Sequence, residues 1–130
     1  MGLSNRRYAT PDVVVGKEAE VAGLSLTFWP NPVYRNHPGE LRWYFNIAIR
    51  ETGAEHVQLR RYRGEWYDMD GRLQDSKEDL LDMHLGPLQH TAYPDLWVMS
   101  AIPRFRYRLI VYGQNEAAQE VSAEGVLLCQ

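Results

Sequence analysis

The stretch Leu41–Arg72 reads LRWYFNIAIRETGAEHVQLRRYRGEWYDMDGR. From Leu41 to Ile49 an apolar residue occupies every second position: Leu41, Trp43, Phe45, Ile47, Ile49. Strand side chains alternate between faces, so this segment has one apolar face and one mostly polar face, carried by Arg42, Tyr44, Asn46 and Arg50. That is the signature of an antiparallel strand lying on a core. Thr52-Gly53-Ala54-Glu55 reads as a turn, and the segment is expected to fold back as a hairpin, with Val57 and Leu59 continuing the inward parity. Continued unchanged, that parity would turn Arg61 and Arg63 inward. A one-residue β-bulge near Arg60-Arg61 resolves this, sending Tyr62 and Trp66 in and Arg61, Arg63, Glu65 and Tyr67 out. Asp68-Met69-Asp70-Gly71 closes the strand as a tight turn.

Outward from this stretch, strand signals recur between turn signals. Residues 1–12 read as an N-terminal arm and residues 13–130 as one domain, with Val13–Val15 as a short edge strand. Residues 20–29 alternate through Leu24, Leu26 and Phe28, and Pro30-Asn31-Pro32 ends them. Residues 76–79, Ser-Lys-Glu-Asp, resemble a helix start, while Leu81, Met83 and Leu85 alternate as a strand does. The expectation is a short turn or helical piece followed by a strand. Tyr93-Pro94-Asp95 reads as a turn before a strand over residues 96–101. Phe105, Tyr107, Leu109 and Val111 alternate cleanly. Gly113 to Ala118 reads as a hairpin loop, and a bulge at Gly125 is expected to turn Val126 and Leu128 inward. Seven to nine short strands predict an all-β fold, a two-sheet antiparallel sandwich of the immunoglobulin or fibronectin-III kind.

Residues 31–34, Asn-Pro-Val-Tyr, the run RWYFNIAIRETGAEHVQL, the Arg61-Tyr62 to Trp66 segment and the Asp70-Gly71-Arg72 turn resemble the front half of ApaG-type domains. The resemblance implies a fibronectin-III-like sandwich and a binding or protein-interaction role. It transfers no site, because the glycine-rich loop expected after the turn is absent and Leu73–Leu85 is acidic instead.

Composition narrows the function classes. The chain has 130 residues and a formal net charge of −3, which gives no bulk attraction to nucleic acid or anionic lipid. No apolar run reaches the length of a membrane span. Arg6-Arg7 is followed only by Val13–Val15, too short for the apolar core of an export signal. One cysteine, Cys129, excludes an internal disulfide framework. The expected compartment is therefore cytoplasmic, and no cofactor is implied.

Four constellations could carry chemistry. Asp68-x-Asp70-Gly71 is a fragment of a calcium-loop pattern, with an Asp-Gly hairpin turn as the simpler reading. Arg42, Arg50, Arg104, Arg106 and Arg108, with Arg61 and Arg63, would form one guanidinium array if their strands are neighbours. Such an array clamps phosphates or carboxylates; the alternative is cross-strand pairing with Glu40, Glu51 and Glu65. Of His37, His56, His84 and His90, only His84 and His90 lie near each other in sequence, without metal-ligand spacing. Exposed aromatics beside prolines and on outward positions (Trp29, Tyr34, Tyr44, Tyr67 and Trp97) are candidate interface anchors. No convergent catalytic set is visible. The chain is therefore read as a non-catalytic protein-interaction module or accessory subunit with a protein partner or self-association, the alternative being a small-anion binder on the arginines.

Overall fold

A computed structural model describes residues 3–5, 7–9, 23–37 and 39–130. In chain order the strands are β1 (Leu3–Asn5), β2 (Arg7–Ala9), β3 (Leu24–Trp29), β4 (Arg42–Glu51), β5 (Val57–Tyr67), β6 (Leu73–Leu85), β7 (His90–Met99), β8 (Phe105–Gln114) and β9 (Glu120–Cys129). β1 and β2 pair with each other, within the residues expected as an arm. Val13–Val15 lies outside the described residues. The remaining seven strands form two antiparallel sheets, β3-β4-β7 and β6-β5-β8-β9. They pack as the expected all-β sandwich.

Alternation builds the core. Trp43, Phe45, Ile47 and Ile49 are buried from β4 of one sheet, facing Val57 and Leu59 of β5 and Phe105, Tyr107, Leu109 and Val111 of β8 in the other. Each such side chain contributes about 1.5–3 kcal/mol by leaving water. The aromatic rings meet edge to face: Trp43 on Phe105 at 4.9 Å and Phe28 on Phe45 at 5.4 Å. Trp43 also donates its indole N–H to the carbonyl of Gln130 at 3.0 Å.

The expected hairpin between β4 and β5 is not formed. β4 bonds β3 and β7, whereas β5 bonds β6 and β8, so the two strands lie in opposite sheets. Both carry an apolar face toward the same core, which a hairpin and a crossing satisfy equally; the crossing is formed, and it sets the two faces against each other across the sandwich. Sheets stack about 10 Å apart, a distance that residues 52–56 span easily.

The bulge in β5 is present. Leu59 lies opposite Gly113 and Arg61 opposite Tyr112, which leaves Arg60 as the extra residue. Beyond it Tyr62 and Trp66 pack against the core, as the shifted parity requires.

Three further expectations fail for physical reasons. Residues 76–80 are neither turn nor helix; β6 is continuous from Leu73 to Leu85, paired to β5. The ladder set up by the Asp68–Gly71 turn outweighs a local capping preference. Asp75 and Asp79 carboxylates instead accept the amides of Ser76 and Leu80. Tyr93-Pro94-Asp95 is a bulge inside β7, where the register shifts between Phe45 and Ile47 of β4 and Asp95 takes φ 61°. There is no bulge at Gly125: β8 and β9 pair in unbroken register, and Leu127 and Cys129 are buried rather than Val126 and Leu128. Gly125 itself faces in, and Leu26 and Phe28 fill the space a side chain would need, within 2.9–3.0 Å of an added Cβ.

The chain changes sheets after β3. Trp29-Pro30 and Asn31-Pro32 are cis. Between the prolines, Asn31 donates to the Val126 carbonyl at 2.8 Å and accepts the Leu128 amide at 3.0 Å. Val33 then bridges Cys129 in parallel, which covers the outer edge of β9.

Candidate functional site

The outer face of the three-stranded sheet gathers exposed aromatic residues. Trp29 is opposite Asn46, and Tyr44 is opposite Trp97, with Arg42 opposite Met99. Positions two apart on β4 share a face, so Trp29, Tyr44 and Trp97 form a diagonal row across all three strands. Trp29 is 43% exposed, Trp97 48% and Met99 49%. The Arg42 guanidinium lies 4.5 Å over the Trp97 ring, a cation–π contact. Asn46 holds the row in place: its amide donates to the Trp29 carbonyl at 3.0 Å, and its carbonyl accepts the Asp95 amide at 3.1 Å. One side chain thus fixes the end of β3 and the bulge of β7.

The two other aromatic candidates lie elsewhere. Tyr34 is exposed on the segment that follows Pro32. Tyr67 is on the four-stranded sheet, where its hydroxyl donates to Glu65 at 2.7 Å.

The arginines do not form one array. Arg42 and Arg50 belong to the three-stranded sheet, whereas Arg61, Arg63, Arg106 and Arg108 belong to the four-stranded one. Arg104 precedes β8 and reaches Gln130 at 3.4 Å. On the four-stranded face the cross-strand pairing prevails. Arg108 forks onto Glu124 at 3.0 and 2.8 Å and reaches Glu65 at 2.9 Å. Arg63 donates to Glu65 at 2.7 Å. Arg61 stacks 3.7 Å over Tyr112 and lies 3.4 Å from Glu78 and 3.6 Å from Glu120.

Glu65 is the centre of this network and is buried although it faces outward. Burial alone would raise its pKa, but donation from Tyr67, Arg63 and Arg108 outweighs it and holds the carboxyl below the usual range. The same contacts raise Arg108, whose bonds to Glu124 are the largest cause. Tyr67 is raised chiefly by burial. Because the folded pKa of Glu65 lies below its unfolded value of about 4.3, its stabilisation is present above that pH and lost as pH falls through the folded value. Glu65→Gln is expected to cost about 1–2 kcal/mol at neutral pH and to flatten the acid limb of the stability curve. Urea midpoints taken from about pH 6 down to pH 2 test this, and parallel acid limbs in both proteins would refute it.

The remaining candidates resolve as local structure. Asp68 Oδ1 accepts the amides of Asp70 and Arg72, both at 2.9 Å, so the Asp68/Asp70 fragment caps its hairpin. Among the described residues no cluster of three or more His, Cys, Asp or Glu is placed to hold a metal ion. The histidine that lies beside His84 is His56 rather than His90. Their ring nitrogens, Nδ1 of His56 and Nε2 of His84, are 3.0 Å apart. The β5–β6 register brings them together, and register is a property of two strands that neither sequence segment shows by itself. Cys129 is buried, and burial pushes its thiol pKa up, away from a reactive thiolate.

A residue that sequence reasoning placed among the surface carboxylates is buried: Glu51. Its carboxylate accepts the amides of Gly53 and Leu88, each at 2.7 Å, and of Glu55 at 3.2 Å. It joins the β4–β5 and β6–β7 crossings. The signal was present in the alternation, since Glu51 continues the inward parity of Ile47 and Ile49.

No protein-family model matches the chain, and no curated protein matches it. Among the described residues no helix is long and apolar enough to cross a membrane. Solved structures do resemble it. A protein assigned as ApaA from Bordetella pertussis is 19% identical over 80% of this chain and 91% of its own, with a TM-score of 0.59. A protein solved as a Northeast Structural Genomics Consortium target is 11% identical over 81% of this chain and 85% of its own, with a TM-score of 0.60. The likeness first seen in residues 31–72 thus extends, as a fold, over most of the chain: it is a β-sandwich similar in fold to these two structures.

Proposed function

We propose that this domain is a non-catalytic protein-interaction module that docks a partner protein on the outer face of its three-stranded sheet. The observation that carries this is the Trp29–Tyr44–Trp97 row, half-exposed and backed by Asn46, with Arg42 stacked at one end. Tryptophan, tyrosine and arginine concentrate binding energy at interfaces. A pre-ordered row reduces the entropy lost on association. The anion-binding reading is weaker, because the forks of Arg63 and Arg108 are already occupied by carboxylates.

Purification of the full chain from native lysate, beside a Trp29→Ala/Trp97→Ala double variant, tests the proposal. The native chain is expected to retain a stoichiometric protein that the double variant loses. Removal of two central anchors corresponds to an affinity loss of about tenfold or more. Equal retention by both chains, or none by either, would count against it.

A further inference from the structure

We propose that the open side of the sandwich, between edge strands β6 and β7, accepts an extended basic segment of another protein as a fourth strand beside β7. This goes beyond the aromatic face and uses a different surface.

The two sheets are unequal, three strands against four. On one side the mismatch is closed, because β3 packs over β9 and the Val33 bridge covers the β9 edge. On the other side β6 overhangs. Asp75 and Asp79 pair with the inward-facing Trp66 and Tyr62, yet both are exposed, because among the described residues no strand lies opposite them. Tyr62, Trp66, Leu81, Met83 and Leu96 line this side and are only partly buried. Among the described residues β7 pairs with β4 alone, and its outer edge has no described partner strand. Two contacts bound the opening: the Tyr93 hydroxyl to the Met83 sulfur at 3.5 Å, and the Trp66 indole N–H to the Met99 carbonyl at 3.0 Å. A strand added beside β7 sits about 4.8 Å farther out, over the overhanging β6. Pro94 has no amide, which confines backbone pairing to the runs on either side of it.

Charge selects the occupant. Asp75 and Asp79 each hold the next residue's amide at 2.8 Å and make no ion pair among the described residues. Glu78 is paired to Arg61, and Asp82 accepts from Gln58 at 2.7 Å. An incoming strand therefore meets Asp75 and Asp79 with Lys77 between them on the same face, opposite Gly64, a net negative charge beside an apolar shelf on a strand that also carries Glu78 and Asp82. A second copy joined through β7 would bring the two acidic β6 strands together, which like-charge repulsion opposes. Residues 10–22 of the chain itself carry Asp12, Glu18 and Glu20 against Lys17, the wrong sign. A segment with alternate apolar residues followed by lysine or arginine on the same face fits both features.

The probes are the capped peptides TVTVTKTKT and TVTVTETET, titrated into the ¹⁵N-labelled full chain. The lysine peptide is expected to shift amides of β6 and β7 and to bind at least tenfold more tightly than the glutamate peptide. Asp75→Lys/Asp79→Lys, at exposed positions that retain the fold, is expected to reverse that preference. The Trp29→Ala/Trp97→Ala variant is expected to bind as the native chain does, which separates this surface from the aromatic face. Equal binding of the two peptides, shifts confined to other strands, an unchanged preference in the lysine variant, or a native dimer closed through β7 would each overturn the proposal.

Discussion

Glu51→Leu is expected to lower the stability of the domain by about 3–5 kcal/mol, the largest effect of any single substitution considered. The Glu51 carboxylate is 1% exposed and, among the described residues, three backbone amides rather than a cation hold it. Leucine matches its volume closely but leaves the amides of Gly53, Glu55 and Leu88 without acceptors. Each buried donor left unmade costs about 1–3 kcal/mol. Glu51→Gln keeps one acceptor oxygen and is expected to fall between leucine and the native chain. Urea unfolding at neutral pH reads all three. A loss below about 1 kcal/mol for leucine would show that water or loop movement satisfies the freed amides.

Gly113→Ala is expected to cost about 3 kcal/mol, more than an ordinary glycine substitution in a strand. An alanine Cβ there would collide with the backbone carbonyl of Gln58 and lie 3.0 Å from Leu59 Cα. These are main-chain atoms of the neighbouring strand, so no rotamer change relieves the overlap. The crowding follows from the bulge, because Leu59 lies opposite Gly113 where Arg60 is pushed out of the ladder. Gly64→Ala is the useful comparison: its Cβ would collide with the Tyr107 ring, a side chain rather than main chain, but one packed against Phe28, Phe45 and Trp66, so the variant is also expected to lose stability, by less than Gly113→Ala. Thermal melts of both variants test the ranking, and a Gly113→Ala midpoint within a degree or two of the native value would remove the bulge from the account.

What the sequence made legible follows from the range of each signal. Alternation is a property of one strand, and it correctly placed Trp43, Phe45, Ile49 and Phe105 in the core and Trp29 outside it. The Arg60 bulge was readable because arginine on an inward position is costly enough to force a reset. Pairing is a property of two strands and left no such mark. The apolar faces of β4 and β5 are equally consistent with a hairpin and with a crossing, and the crossing separates Arg42 and Arg50 from Arg106 and Arg108. The His56–His84 pair was hidden for the same reason. Gly125 misled because an inward glycine reads as a defect until Leu26 and Phe28 are seen in its place. For the candidate site, each of Trp29, Tyr44 and Trp97 was visible singly; the row needed the β3-β4-β7 order. Glu51 departs from the cross-strand pairing expected of it because its inward position sets the carboxylate on backbone amides, out of reach of the surface arginines.

The connections of this domain differ in how they are held. The tips at Asp68–Arg72 and Asn115–Gln119 satisfy their own amides, through the Asp68 and Asn115 side chains. The Asp68–Arg72 tip is self-contained, and lengthening it disturbs little beyond it, whereas Glu116 of the other tip also accepts the His56 amide at 2.8 Å and ties that tip to the crossing at residues 52–56. The crossings at residues 52–56 and 86–89 share a single acceptor, the Glu51 carboxylate. Neither can change length without loosening its neighbour, so inserted sequence, whether a tag, a label or a grafted loop, belongs at the Asp68–Arg72 tip and not at the crossings.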